Sequence, residues 1–127
     1  MSKLPILAAN FPDIVTGIAR LRDSKTEKAI CYYIHQSKTL GYQSFTSSKY
    51  SQLEIKPRAL LEAIILYDAS EIILMHNHPS GLCYPSSADI YATEKLAYLS
   101  TSFSFKLLDH VIVTKNEYFS FQEAGLL

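Results

Sequence analysis

Two histidines and an aspartate stand close together near the middle of the chain. His76 and His78 are two residues apart and follow the apolar run at 72–75, which is typical of a buried β-strand. Side chains two apart on a strand point to the same side of the sheet, so both imidazoles can reach one ion. With Asp89, they form two neutral imidazoles and a carboxylate, which is the ligand set of a catalytic zinc site with a fourth position open to water.

The same segment also permits a simpler structural interpretation. Pro79 has no amide hydrogen and ends the strand, while Gly81 and Pro85 indicate a loop. Ser86 followed by Asp89 is the pattern of a helix start, in which the hydroxyl caps free amides and the carboxylate faces the helix dipole. Capping and metal binding are therefore alternative roles for Asp89, and the two histidines on one side of one strand favour the metal site.

The spacing of these residues resembles the JAMM motif of the MPN metalloproteases. The string His-Asn-His-Pro-Ser-Gly at 76–81 is similar to the RadC branch of that superfamily, the RadC-like JAB/MPN domains, and the resemblance covers roughly residues 27–126. It implies that His76, His78 and Asp89 bind one zinc ion per chain. It also implies that Ser86 assists at the oxyanion and that an upstream glutamate is the acid–base residue.

A zinc hydrolase needs a carboxylate beside the metal-bound water but outside the ligand set. Three glutamates are disfavoured. Glu71 lies too far from His76 along the strand, and Glu62 is expected to pair with Arg58 on a helix surface. Glu94 is turned away from Asp89 by the rotation of the helix. Spacing leaves Glu27 and Glu54. The resemblance favours Glu27, because it precedes an aromatic and aliphatic strand as in RadC proteins. The alternative is that Glu27 is an exposed turn residue.

Three further residues have candidate roles beside the metal. Asp109 and His110 lie in a segment that resembles the closing strands of the family, and they are either a pair behind the metal ligands or a buried pair that closes a strand turn. Cys83 lies five residues after His78. A thiol near zinc is readily deprotonated, so Cys83 is a candidate fourth ligand. The alternative is a small residue that packs beside Tyr84.

Length and composition indicate one globular domain spanning residues 1–127, with 1–22 as an N-terminal helical extension. Hydrophobic residues make up 48% and charged residues 19% of the chain, which excludes a disordered protein. Twelve basic and twelve acidic residues cancel, which argues against unaided nucleic-acid binding. Two cysteines provide no disulfide framework, and no signal peptide or membrane span is recognisable. We therefore expect a cytoplasmic protein with no membrane partner.

Periodicity predicts the elements that must position these residues. Helices are expected over 10–22, 57–67 and 87–99, and strands over 29–35, 39–47, 71–75, 105–114 and 118–121. Their order predicts an α/β fold, a mixed β-sheet sandwiched by helices. The resemblance implies that this fold has the MPN/JAB (cytidine deaminase-like) architecture. The residues expected to face the sheet are Leu60, Leu61, Ile64 and Ile65 on the second helix and Ile90, Leu96 and Ala97 on the third.

The preferred functional interpretation is a zinc metallohydrolase of the JAMM type that acts on a peptide or isopeptide substrate. Glu27 would accept a proton from the attacking water, and Ser86 would stabilise the oxyanion. One alternative is a DNA repair-associated RadC-like protein that acts on or with DNA. The other is a non-catalytic interaction module that only binds the metal.

Overall fold

The structure, a computed structural model, describes residues 3–48 and 53–127. Within these ranges the elements in chain order are a short 3-10 helix at Ile6–Ala9, α1 (Ile14–Asp23), β1 (Lys28–His35), β2 (Lys38–Thr46), α2 (Pro57–Tyr67), β3 (Glu71–Asn77), α3 (Ser87–Ser102), β4 (Lys106–Val113) and β5 (Tyr118–Ser120). No helix in this described part of the chain is both long and apolar enough to cross a membrane.

The five strands form one mixed sheet in the order β2–β1–β3–β4–β5. The central strand β3 is antiparallel to β1 and parallel to β4, and the two hairpins lie at the edges. Residues 72–75 of β3 are all buried, because both faces of the sheet are covered by helices. The α/β fold with a mixed sheet between helices is therefore confirmed.

Each face of the sheet has its own apolar core. On one face, α1 places Ile14, Ile18 and Leu21 against β1, β3 and β4. On the other face, residues of α2 and α3, including Leu60 and Leu96, pack against the same three strands. Segment 1–22, which was predicted as a helical extension, thus contributes most of the helix that packs on one face of the three central strands.

The inward faces of two helices differ from the prediction. Leu60, Ile64 and Leu96 are buried as expected, but Ile65 is 74% exposed and Ile90 is 39% exposed. On an α-helix, Ile65 lies about 100° away from the stripe that contains Ile64. On α3, Thr93 and Leu96 form the buried stripe. Ile90 is rotated away from the centre of that stripe and is therefore partly exposed.

β3 is two residues longer than the prediction and includes His76 and Asn77. His76 lies opposite Ala29 of β1 and Ile112 of β4, and Asn77 lies opposite Val113. Neighbours on both sides keep the chain extended beyond the apolar run. The first histidine is therefore held inside the sheet rather than in a loop.

Candidate metal centre

Three potential ligand atoms converge where β3 ends and α3 begins. His76 Nε2 lies 3.0 Å from His78 Nε2 and 3.2 Å from Asp89 Oδ1, and His78 Nε2 lies 3.1 Å from Asp89 Oδ2. A tetrahedral zinc ion with bonds of ~2.0–2.1 Å separates its ligand atoms by about 3.3 Å. The three donors therefore fit such an ion, and they are the only cluster of this kind in the described ranges.

The Asp89 carboxylate belongs both to the capping box of α3 and to the candidate metal centre. The Asp89 amide donates to Ser86 Oγ at 3.1 Å, and the Ser86 amide donates to Asp89 Oδ2 at 2.9 Å, which together form a capping box. Burial would raise the pKa of the Asp89 carboxyl, but the adjacent His76 side chain and the hydrogen bonds with Ser86 outweigh burial and hold the pKa below its usual range. The geometry of this ionised side chain is thus compatible with both of the roles that the sequence left as alternatives.

A buried chain of hydrogen bonds sets the tautomer of His76. Thr93 Oγ1 donates its single proton to the Asp89 carbonyl at 2.9 Å, so it accepts from His110 Nδ1 at 2.5 Å. His110 Nε2 then accepts from His76 Nδ1 at 2.8 Å, and this leaves the lone pair of His76 Nε2 directed at the metal position. Burial, helped by the neighbouring His76, lowers the pKa of His110 to about 3, which keeps this imidazole neutral.

The tautomer of His78 is set by the loop that follows it. His78 Nδ1 lies 2.8 Å from the carbonyl oxygen of Leu82. A carbonyl can only accept, so Nδ1 carries the hydrogen and Nε2 presents its lone pair to the centre. The loop after Pro79 therefore orients a ligand as well as connecting β3 to α3.

Asp109 and His110 lie in different surroundings. Neighbouring residues of a strand point to opposite faces, and only His110 contacts His76. The Asp109 carboxylate accepts hydrogen bonds from the Ser120 hydroxyl and the Gln122 amide. Asp109 therefore contacts the end of β5 and the residue two positions beyond it, whereas His110 contacts His76.

Glu27 lies on the same side of the sheet as the histidines. It immediately precedes β1, and continuing the pairing of Ala29 with His76 would place Glu27 opposite His78. Glu27 and Ser86 line the same open cleft, about 910 Å³ in volume, as the three donors. Glu54 does not line this cleft, so of the two glutamates that spacing allowed, only Glu27 borders the metal centre.

The cleft extends from the donors into an apolar channel between α2 and α3. Its apolar walls and floor include Leu53, Ile55, Leu60, Leu74, Ala92 and Leu96. Its rim has two exposed cations, Lys25 and Lys95. The cleft therefore offers an apolar surface beside the candidate metal centre.

The structure does not bring Cys83 to the three donors. Its Sγ lies 3.7 Å from Glu117 Oε2, in the turn between β4 and β5. Burial and the nearby Glu117 carboxylate raise the pKa of this thiol, which disfavours the thiolate that binds metals. A role as fourth ligand would need the loop at 81–85 to turn round, and it stays a prediction.

Thr93 is a residue of the candidate site that sequence reasoning missed. Its hydroxyl joins the backbone of one ligand, Asp89, to the ring that supports another, His76. The available signal was the spacing of Asp89 and Thr93, four residues apart on one helix face. That spacing is common in helices, and its meaning here depends on His110, which arrives from a different strand.

Comparison with known proteins identifies the family. Residues 10–126 match the model of the RadC-like JAB domain. A UPF0758 protein of Alteromonas mediterranea is 34% identical over 110 residues, which cover 86% of this chain and 49% of the relative. A UPF0758 protein of Nitrosococcus oceani is 33% identical, covering 87% and 50%. UPF0758 protein YeeS of Escherichia coli is 32% identical, covering 81% and 70%.

This chain spans about half the length of the first two relatives. The match to the family model nevertheless extends over most of the chain and includes all three donors. The chain therefore belongs to the RadC-like JAB domain family.

Proposed function

We propose that this chain is a zinc-dependent metallohydrolase that cleaves an amide bond in a peptide or isopeptide substrate. The observation that carries the proposal is the convergence of His76, His78 and Asp89 at 3.0–3.2 Å from one another. A cleft that also contains Glu27 and Ser86 opens beside them. Membership of the JAB superfamily, which includes hydrolases, supports the same activity.

Zinc is the metal that suits these donors best. Two imidazole nitrogens and one carboxylate, with a further position open, are typical of catalytic zinc sites. When bound, zinc lowers the pKa of a coordinated water to about 7 and polarises a substrate carbonyl. We expect one ion per chain.

Two residues of the cleft would handle the proton and the oxyanion. Glu27 accepts the proton of the attacking water and later delivers it to the leaving amine. Ser86 Oγ accepts a hydrogen bond from the Asp89 amide, so its own proton can be donated to the oxyanion. In this scheme the helix cap orients a metal ligand and a catalytic hydroxyl together.

Elemental analysis of the purified protein tests the proposed metal. We expect one zinc per chain in the wild type and a large loss in His76→Ala, because two remaining ligands are too few for tight binding. His35→Ala is the matched control, since His35 lies at the far end of β1 and should leave the zinc content unchanged. Wild-type and His76→Ala proteins that are equally free of metal would contradict the proposal.

The two alternative functions make different predictions for the zinc-loaded protein. A role on DNA predicts an affinity for DNA that falls steeply with salt, although a net charge of zero and two lysines on the cleft rim give it little support. A non-catalytic module predicts bound zinc without hydrolysis of any member of a peptide library. Hydrolysis of a peptide that requires both zinc and Glu27 would support our proposal and neither of the two alternatives.

A further inference from the structure

We infer that Asn77, which stands between the two histidine ligands, is a positioning residue that holds Glu27 beside the metal centre. This inference rests on the proposed function, because it assigns Asn77 a part in placing the proposed base. It is carried by the hydrogen bonds between the Asn77 side chain and the segment that connects α1 to β1.

The Asn77 side chain is 2% exposed and bonded through both of its polar atoms. Its Oδ1 accepts from the Lys28 amide at 2.7 Å. Its Nδ2 lies 3.1 Å from the carbonyl oxygen of Leu21, 3.0 Å from that of Thr26 and 3.4 Å from that of Ser24. The Lys28 amide requires an oxygen as its acceptor, and the backbone carbonyls require an N–H as their donor. Only one orientation of the Asn77 carboxamide satisfies both requirements.

These contacts lie on both sides of Glu27 in the sequence. Thr26 contributes its carbonyl and Lys28 its amide, so the backbone is held immediately before and immediately after Glu27. The Glu27 carbonyl itself accepts from the Ser47 amide at 3.0 Å and from Ser47 Oγ at 3.1 Å. The backbone of Glu27 is thereby fixed, while its side chain remains exposed in the cleft.

Asn77 can do this without contacting the metal ligands. It alternates with His76 and His78 along the chain, so its side chain points to the opposite face, toward the end of α1. Segment 76–78 thus directs two imidazoles to one face of the sheet. From the opposite face, its asparagine binds the backbone on either side of Glu27, the proposed base. A base held in place before substrate binds needs no reorganisation during the reaction.

Hydrogen exchange of the full chain tests whether Asn77 holds this segment. In Asn77→Ala we expect backbone amides at 22–28 to exchange about tenfold faster or more, since several buried hydrogen bonds are lost, while amides at 30–34 keep their protection. Asn77→Asp is a near-isosteric second variant: it can still accept from Lys28, but it places an oxygen against the carbonyls, so it should loosen 22–26 most. Thr114→Val, which removes a buried hydroxyl bonded to the Glu117 amide, is the control and should affect only 114–118.

Binding of acetohydroxamate to the zinc-loaded protein tests whether the hydrogen bonds of Asn77 act through the position of Glu27. Hydroxamates chelate zinc and can donate a hydrogen bond to a neighbouring carboxylate, so their affinity reports on whether Glu27 stands beside the metal. We expect Glu27→Gln and Asn77→Ala each to weaken binding about tenfold, and the double variant to be no weaker than either single variant. The affinity for zinc should be unchanged in all three.

A merely structural Asn77 would lower the Tm but leave acetohydroxamate affinity unchanged. That result, additive losses in the double variant, or unchanged exchange at 22–28 would overturn the inference. A wild-type protein that binds no zinc would instead contradict the proposed function. The exchange pattern would then still decide whether Asn77 holds the backbone of Glu27.

Discussion

At the residue scale, single side chains at the centre serve both the fold and the chemistry. Asp89 completes the capping box of α3 and offers a potential ligand oxygen, and the buried His110 fixes the tautomer of His76. Replacing any of them should therefore change more than one property. Variants are most informative where they remove one contact and keep the volume.

Thr93→Val is such a variant, because it replaces a hydroxyl with a methyl group of similar size. Without the hydroxyl, His110 has no fixed tautomer, and the ring of His76 loses its support. We expect zinc affinity to fall by ~10–100-fold, as for other groups that orient metal ligands, with the fold retained by circular dichroism. Asp109→Asn, in the next strand position to His110, should leave zinc affinity unchanged. Equal losses in both variants would show that the chain through Thr93 has no special role.

Asp109 should instead affect the dependence of stability on pH. Burial raises the pKa of its carboxyl, and hydrogen bonds from Ser120 and Gln122 offset burial only in part. The folded state thus holds this proton more tightly than the unfolded state, whose pKa is about 3.9. The contribution of Asp109 to stability is present below that pH and is lost as pH rises through the folded pKa. In urea titrations, Asp109→Asn should gain stability relative to wild type as pH increases above about 4, and a constant difference would be evidence against this assignment.

At the element scale, the start of α3 joins stability to metal binding. Ser86→Ala removes the acceptor of the Asp89 amide and should lower the free energy of unfolding by about 1 kcal/mol. Ser86→Gly should cost only a few tenths of a kcal/mol, because glycine is tolerated as an N-cap. Ser87→Ala, one residue further on, is the control. Chemical denaturation measures all three, and equal stability of Ser86→Ala and wild type would show that the capping box contributes nothing.

At the scale of the whole molecule, α1 belongs to the core that supports the centre. It buries Ile14, Ile18 and Leu21 against one face of the sheet, and the Leu21 carbonyl near its C-terminus accepts a hydrogen bond from Asn77. Deletion of residues 2–22 should therefore abolish cooperative unfolding, since a domain has only about 5–15 kcal/mol of stability to lose. A deleted chain that still melts cooperatively and binds zinc would show that this segment is an independent extension.

The sequence predicted what depends on local spacing and missed what depends on contacts between elements. The two histidines and Asp89 were found because a strand period and a helix start bring them together, and the helix at Pro57–Tyr67 was found with the same bounds because its proline marks the first turn. The roles of Thr93 and Asn77 could not be predicted in this way. Each depends on a partner from another element, His110 of β4 for Thr93 and the segment after α1 for Asn77, and these partners are set by strand order and register.

The most direct test of the central claim is hydrolysis of a peptide and isopeptide library by the zinc-loaded wild type, compared with Glu27→Gln and Glu54→Gln. We expect the wild type to cleave at least one member, Glu27→Gln to bind zinc normally but lose ~10²–10⁴ in rate, and Glu54→Gln to retain wild-type activity. Loss of activity in Glu54→Gln but not in Glu27→Gln would reject Glu27 as the base. A zinc-loaded wild type that cleaves nothing in either library would contradict the account of this chain as a metallohydrolase.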